Sequence, residues 1–345
     1  MGNMPVARRD HGIPSAVGGL SVLVSLFAAV LIVVGIAPAA HADPAGPDSN
    51  NATLQSQLDA AARGYNDAKG RLDTAKQRLA TLNTAAQTTQ TQLADLTQQV
   101  NAVAVTAYKG GQISAFASLL DSGSPADFLD RAVTLQAQVH RDDATLRRLN
   151  ATQAQYAQQR ADIDTEVQRQ ADQVAVMARR KTDAQNALAA AGSGPSAGFS
   201  GGSVSAAPAA RSPDGSWPKE SCSIKDPTTS GCLTPRALHA LQEVKKAGYT
   251  HYVACYRPGT FGEHPLGRAC DFAANPTGFA GIAAGADKAY GAQLAAWLVA
   301  NADRLAVLYV IWFKQIWTPS AGWHAYHGDG TPGGDHTNHV HLSVQ

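Results

Sequence analysis

His264, Asp271, His339 and His341 are the residues whose types and spacing could do chemistry. His264 and Asp271 bracket the run His264-Pro265-Leu266-Gly267-Arg268-Ala269-Cys270-Asp271, and His336-Thr337-Asn338-His339-Val340-His341 lies close to the C-terminus. On a strand, residues i and i+2 share a face, so His339 and His341 point together. Two imidazoles and a carboxylate suit a metal ion that keeps one position open for catalysis. Such a set suits zinc well without excluding other metals. A His-x-His pair is only moderately specific in a chain with 11 histidines, and His324 and His327 read as ordinary exposed residues. The pair together with His-x6-Asp carries the argument.

The surroundings of these residues are unlike the rest of the chain. All four Cys and all five Trp lie after residue 216, and the first 200 residues have neither. Only the last third, 216–345, therefore reads as a compact domain with a mixed core. The net charge of +1 gives no bulk attraction for nucleic acid, and none is expected as a partner. Arg8 and Arg9, the apolar run Val17–Ala37 and Ala40-His41-Ala42 read as a signal peptide over 1–42, with Asp43 as the mature start. The alternative is an uncleaved anchor, since about 20 apolar residues can just span a bilayer. Either way the remainder is expected outside the cytoplasm, secreted or in the cell envelope. There, four Cys favour disulfides. Of the three possible connectivities, Cys222–Cys232 closes a short loop and Cys255–Cys270 joins neighbouring segments of the site, and this pairing is preferred. No CxxC pair suggests a Cys-rich metal site.

Two long helices must precede that domain. From Leu54 the seam positions step by four and three through Leu58, Ala61, Tyr65, Ala68, Leu72, Ala75, Leu79, Leu82, Ala86, Thr89, Leu93, Leu96, Val100, Val103 and Ala107. That is a coiled-coil seam, Ala-rich and so able to approach a partner closely. The pattern stops at Lys109-Gly110-Gly111. A second frame follows Ser124-Pro125, a cap and first helical residue. It runs through Phe128, Ala132, Leu135, Val139, Leu146, Leu149, Tyr156, Ile163, Val167, Val174, Met177, Ala184 and Leu188. The expectation is an antiparallel hairpin over 50–190. Its tip near 110–130 gathers Ile113, Phe116, Leu119, Leu120, Phe128 and Leu129, which either close the hairpin or dock a protein partner. The Gly/Ser/Pro/Ala stretch 191–215 reads as a flexible linker.

Within 216–345, Thr234-Pro235 starts a helix that Gly248 stops. Tyr249–Tyr256 and Arg268–Ala273 read as strands, Ala286–Leu305 as a helix, Ala306–Trp317 as one buried strand and His339–Val344 as a last strand. The class is α+β, a small antiparallel sheet with helices on one side.

Glu263-His264-Pro265-Leu266-Gly267-Arg268-Ala269-Cys270-Asp271 resembles the His-x-x-Gly-x-Ala-x-Asp motif of D-alanyl-D-alanine metallopeptidases. His339-Val340-His341 resembles the His-x-His of the wider superfamily that contains lysostaphin and the hedgehog signalling domain. The resemblance covers 216–345. It implies Zn2+ held by His264, Asp271 and His341, with His339 as base or transition-state stabiliser. It also implies that Arg257 holds substrate or the developing oxyanion. One position departs from it: the carboxypeptidase branch has a Glu three residues before the last ligand, and here that residue is Asn338. An amide takes no proton at neutral pH, so the base role falls to His339, with Asp335 and His336 as neighbours.

Ala107–Gly111 and Leu119–Arg131 resemble the coiled-coil regions of secreted peptidoglycan hydrolases. Those restrain the enzyme and dock on a membrane complex. The combined expectation is a secreted zinc peptidase cutting amide bonds in peptidoglycan stem peptides, positioned or regulated by its coiled coil. Tyr256, Trp323 and Tyr326 are expected as cleft walls. The alternative is a non-catalytic zinc module that binds or regulates cell wall, favoured by the missing Glu. A purely structural site would take His336 or Cys270 as fourth ligand.

Overall fold

The computed structural model describes residues 47–260 and 262–345, with side chains omitted for 47–51 and 111–116. The signal segment 1–42 and the tip side chains of Ile113 and Phe116 lie outside the described residues. Helix α1 spans Pro47–Leu120 and helix α2 spans Pro125–Ala190. At 1.5 Å per residue α1 is about 110 Å long. It does not stop at Gly110-Gly111. A glycine inside a helix costs about 1 kcal/mol, which weakens a helix without ending it. The turn falls instead at Asp121–Ser124, where Ser124 caps α2 by accepting from Asp127 N at 3.1 Å, and Pro125 follows.

The α1 seam is the one its heptads describe, with Leu72, Ala75, Ala86 and Thr89 buried. One of the two α2 seam positions is as expected, with Leu149, Tyr156, Ile163 and Ala184 turned inward. The other is shifted: Val139, Leu146, Val167 and Val174 are 59%, 48%, 42% and 50% exposed, while Thr145 and Glu166, one residue before Leu146 and Val167, turn inward. The docked end of α2 sets this phase. There Ala184, Ala187 and Leu188 are buried together with Leu54, Leu58, Ala61 and Ala62 of α1 and with Leu308, Tyr309 and Ile311 of the C-terminal sheet. Ala187 lies a whole number of heptads from the inward Glu166 and Thr145, so burying it rotates the preceding turns with it. At the far end Leu120 and Leu129 are 83% and 63% exposed, so these two do not close the hairpin.

The C-terminal region begins with a two-stranded ribbon, β1 (Ile224–Lys225) and β2 (Cys232–Leu233), closed by the Cys222–Cys232 disulfide. Helix α3 (Pro235–Lys246) starts on Thr234, which accepts from Ala237 N, and ends before Gly248 at φ 98°. Strand β3 is short, Val253–Ala254, and β4 is Ala269–Ala273. Helices α4 (Gly285–Ala300) and α5 (Ala302–Leu305) follow. The apolar run after them is not one strand. It folds into β5 (Val307–Trp312) and β6 (Gln315–Thr318), turning on Phe313 and Lys314, both at positive φ (49° and 59°). This is the two-residue turn whose twist suits a hairpin. Strands β7 (Gly322–Ala325) and β8 (His339–Val344) complete an antiparallel sheet of order β3-β4-β8-β5-β6-β7.

Period-two alternation divides the sheet's two faces. Phe272, Val340, Leu342 and Val344 pack against Leu241, Val244, Leu294 and Leu298 of α3 and α4. Asp271, His339, His341 and Ser343 take the opposite face, toward which the stem of the helical hairpin packs. Residues 191–215, expected as a free linker, instead run over this region with partners. Ser196 N donates to Trp323 O, Gly198 N to Gln315 Oε1, and Ser205 and Ala206 N both donate to Asn301 Oδ1. The small residues allow close passage: a Cβ on Gly198 would strike the Trp323 ring. Among the described residues no helix is long and apolar enough to cross a membrane.

Candidate metal centre

Neighbouring strands bring the chemical residues together. In the β4–β8 ladder Asp271 stands opposite His341, and both side chains leave the sheet on the same face. His264 reaches them from the turn before β4. That turn is tight: Gly267 N donates to His264 O and Arg268 N to Glu263 O. Gly267 adopts φ 66°, and a Cβ there would meet Cys222 Sγ at 2.4 Å, so the position requires glycine. The second disulfide, Cys255–Cys270, ties the segment before the turn to β4 beside Asp271.

His264 Nε2 lies 3.2 Å from His341 Nδ1 and 3.2 Å from Asp271 Oδ1, and His341 Nδ1 lies 2.8 Å from Asp271 Oδ1. All three residues are buried, and they form a group that could hold a metal ion. Ligands about 2.0–2.2 Å from a tetrahedral ion stand roughly 3.3–3.5 Å apart, so the cluster needs only a slight expansion to fit one. The outer partners fix which nitrogens face inward. His264 Nδ1 makes a short contact with the Cys255 carbonyl, leaving Nε2 for the cluster. His341 Nε2 pairs with Ser343 Oγ at 2.9 Å, leaving Nδ1. This is the outer-shell arrangement that orients metal-binding imidazoles.

Burial alone would raise the Asp271 carboxyl. The surrounding histidines, His339 and His264 first, outweigh it and hold the group well below the usual range. Burial pushes His341 down to about 4 against the pull of Asp271. It also lowers His336, helped by His339 and His341, and His339. Neutral imidazoles are the metal-binding form. The sign follows: His341 has a lower pKa folded than unfolded, so its contribution to stability is complete above about 6.5 and is lost as pH falls toward 4. Melts of chelator-treated protein from pH 7 to pH 4 should show a steadily falling Tm. A flat profile would contradict a buried neutral cluster.

The other expected site residues divide. Arg257 Nη1 donates to Asp271 Oδ2 at 2.6 Å while its side chain stays 62% exposed at the cavity mouth. His339 lies beside the cluster, its Nε2 3.5 Å from Asp271 Oδ1. Tyr326 lines the cavity, edge-on to His336. Tyr256 and Trp323 do not line it. Tyr256 lies over Gly231, and Trp323 packs edge-on against Phe199. Cys270 is in a disulfide and is no ligand. Sequence reading passed over Phe279 and Tyr309, whose rings flank His339 and His341. It also passed over Gln55, which reaches the same cavity of about 710 Å3 from α1.

Asn338 acquires a role. Its Nδ2 donates to Ala280 O at 2.8 Å, which fixes the amide so that Oδ1 accepts from His339 Nδ1, also at 2.8 Å. His339 is thereby held with Nε2 unprotonated and facing the cluster.

Residues 229–340 match the family described as VldE, C-terminal domain. The match covers about a third of the chain and includes Arg257, His264, Asp271 and His339. No curated protein matches the chain.

Proposed function

We propose that the chain is an exported zinc-dependent peptidase acting on amide bonds of peptidoglycan stem peptides. The observation that carries this reading is the buried His264–Asp271–His341 cluster, opening on a cavity beside a histidine whose free nitrogen faces it. The motif resemblance supports zinc and the substrate class, and the two disulfides fit an oxidising compartment. A bound ion would supply Lewis-acid polarisation of a carbonyl and activation of water.

The chain's own residues supply the rest. His339 Nε2 accepts a proton from the attacking water and returns it to the leaving amine, and the Asn338 Oδ1 contact steadies the imidazolium in between. Arg257 is exposed enough to turn from Asp271 toward the oxygen on which charge develops. Losing a donor of that kind costs about 3–4 kcal/mol of transition-state stabilisation. Phe279, Tyr309 and Tyr326 wall the cavity.

The test incubates the full chain and Zn2+ with muropeptides and follows new amines by mass spectrometry. Wild type should generate an amine, and His339→Ala should lose turnover while keeping its metal. Wild type that binds wall material without producing an amine at any pH would instead establish a non-catalytic module.

A further inference from the structure

The helical hairpin is not merely tethered to the metal-binding region. Its stem touches the cluster's supports at three places. Arg63 of α1 pairs with the Glu263 carboxylate at 3.0 Å, and Arg268 pairs with the same carboxylate at 2.5 Å. Glu263 is 3% exposed and immediately precedes His264 in the tight turn. Leu54 and Leu58 share an apolar cluster with Tyr309, whose ring stacks at 9° on His341. Gln55 hydrogen-bonds Tyr326, which packs edge-on against His336. Asn66 Nδ2 donates to Val307 O at 2.9 Å and fixes the stem along β5.

We infer that the docked stem is part of the metal site, and that Arg63 is a positioning residue that holds the His264 turn through Glu263. A carboxylate shared by two guanidiniums has one favoured position, and His264 is the next residue along the chain. Without Arg63, Glu263 loses one of its two cationic partners and keeps only Arg268 and the hydrogen bond to the Asp59 carboxyl of α1, so the turn is freer to move relative to Asp271 and His341 on the rigid β4–β8 ladder. Metal affinity then depends on whether the hairpin is docked, so a partner or load that lifts the stem off the sheet would loosen the ion. The inference rests on the metal reading of the cluster, not on hydrolysis.

The experiment measures Zn2+ affinity of the full chain by competition with a chromophoric chelator. The variants are Arg63→Ala, Arg63→Lys and Glu263→Gln. The control is Arg71→Ala, since Arg71 also joins α1 to later chain, through Asp214 at 3.5 Å, away from the cluster. Arg63→Ala should weaken Zn2+ binding by about 10-fold, the lower end of what losing a direct partner of a ligand does, since Arg63 acts one step further out. Arg63→Lys should recover part of it, and Arg71→Ala should leave affinity unchanged. Glu263→Gln, which keeps the shape, gives the same answer if Arg63→Ala fails to fold. Equal affinity in folded Arg63→Ala or Glu263→Gln, or an equal loss in Arg71→Ala, would overturn the inference. Wild type that binds no Zn2+ would overturn the metal reading and the inference with it, whereas absent peptidase activity with normal binding would overturn only the proposed reaction.

Discussion

An Asp271→Asn chain should bind Zn2+ more than about a hundred-fold more weakly than wild type, a larger loss than any outer-shell change gives. Asn keeps the size and shape of the side chain, so packing in β4 is preserved. What it removes is the charge on which the cluster converges. Asp271 lies within 3.5 Å of His264, His339, His341 and Arg257, and the histidines, His339 and His264 first, hold its carboxyl well below the usual range. A neutral amide would also turn a donor toward imidazole nitrogens that must stay free for an ion. Chelator competition on the two proteins measures the difference, and equal affinities would remove Asp271 from the ligand set.

Loss of the Cys255–Cys270 disulfide should have the second large effect, because it acts on fold and site together. The bridge closes a 15-residue loop that contains His264. Cross-linking a loop of that length contributes about 3 kcal/mol in the chain-entropy picture. Cys255 also provides the carbonyl that receives His264 Nδ1, and Cys270 adjoins Asp271. Replacing both cysteines by Ala should therefore lower the Tm of the C-terminal region by roughly 10 °C, and weaken Zn2+ binding as well. The Cys222–Cys232 pair closes only 10 residues and lies against the His264 turn at Gly267 without joining a segment that carries a ligand, so its removal should affect stability more than affinity. Melts with and without Zn2+ separate the two. An unchanged Tm in the Cys255/Cys270 variant would contradict the role given to that bridge.

What the sequence allowed to be read, and what it hid, follows from the range of each interaction. The candidate ligands were legible because their geometry is local. His264 and Asp271 flank one tight turn, and His339 and His341 share one strand face. The α1 seam was legible for the same reason. Only half of the α2 seam was legible, because the shifted half is set by Ala187, which is buried against a sheet surface more than a hundred residues further along the chain. The β5–β6 hairpin was hidden because Phe313 and Lys314 adopt positive φ without the Gly or Asn that normally announces such a turn.

Composition alone also misjudged 191–215. Its small residues pass close to Trp323 and Trp297 instead of swinging free. Asn338 shows the subtlest case. On the chain it is a missing carboxylate. In the fold its amide is fixed by Ala280 O and orients the neighbouring His339. Tyr256 and Trp323 were expected as cleft walls, yet each is occupied in packing elsewhere.

The most direct test of the metal centre is elemental analysis of the purified full chain after equilibration with Zn2+ and removal of excess. The geometry of His264, Asp271 and His341 predicts one zinc per chain, retained through desalting and lost in Asp271→Asn. No bound zinc in the folded wild-type protein would contradict it.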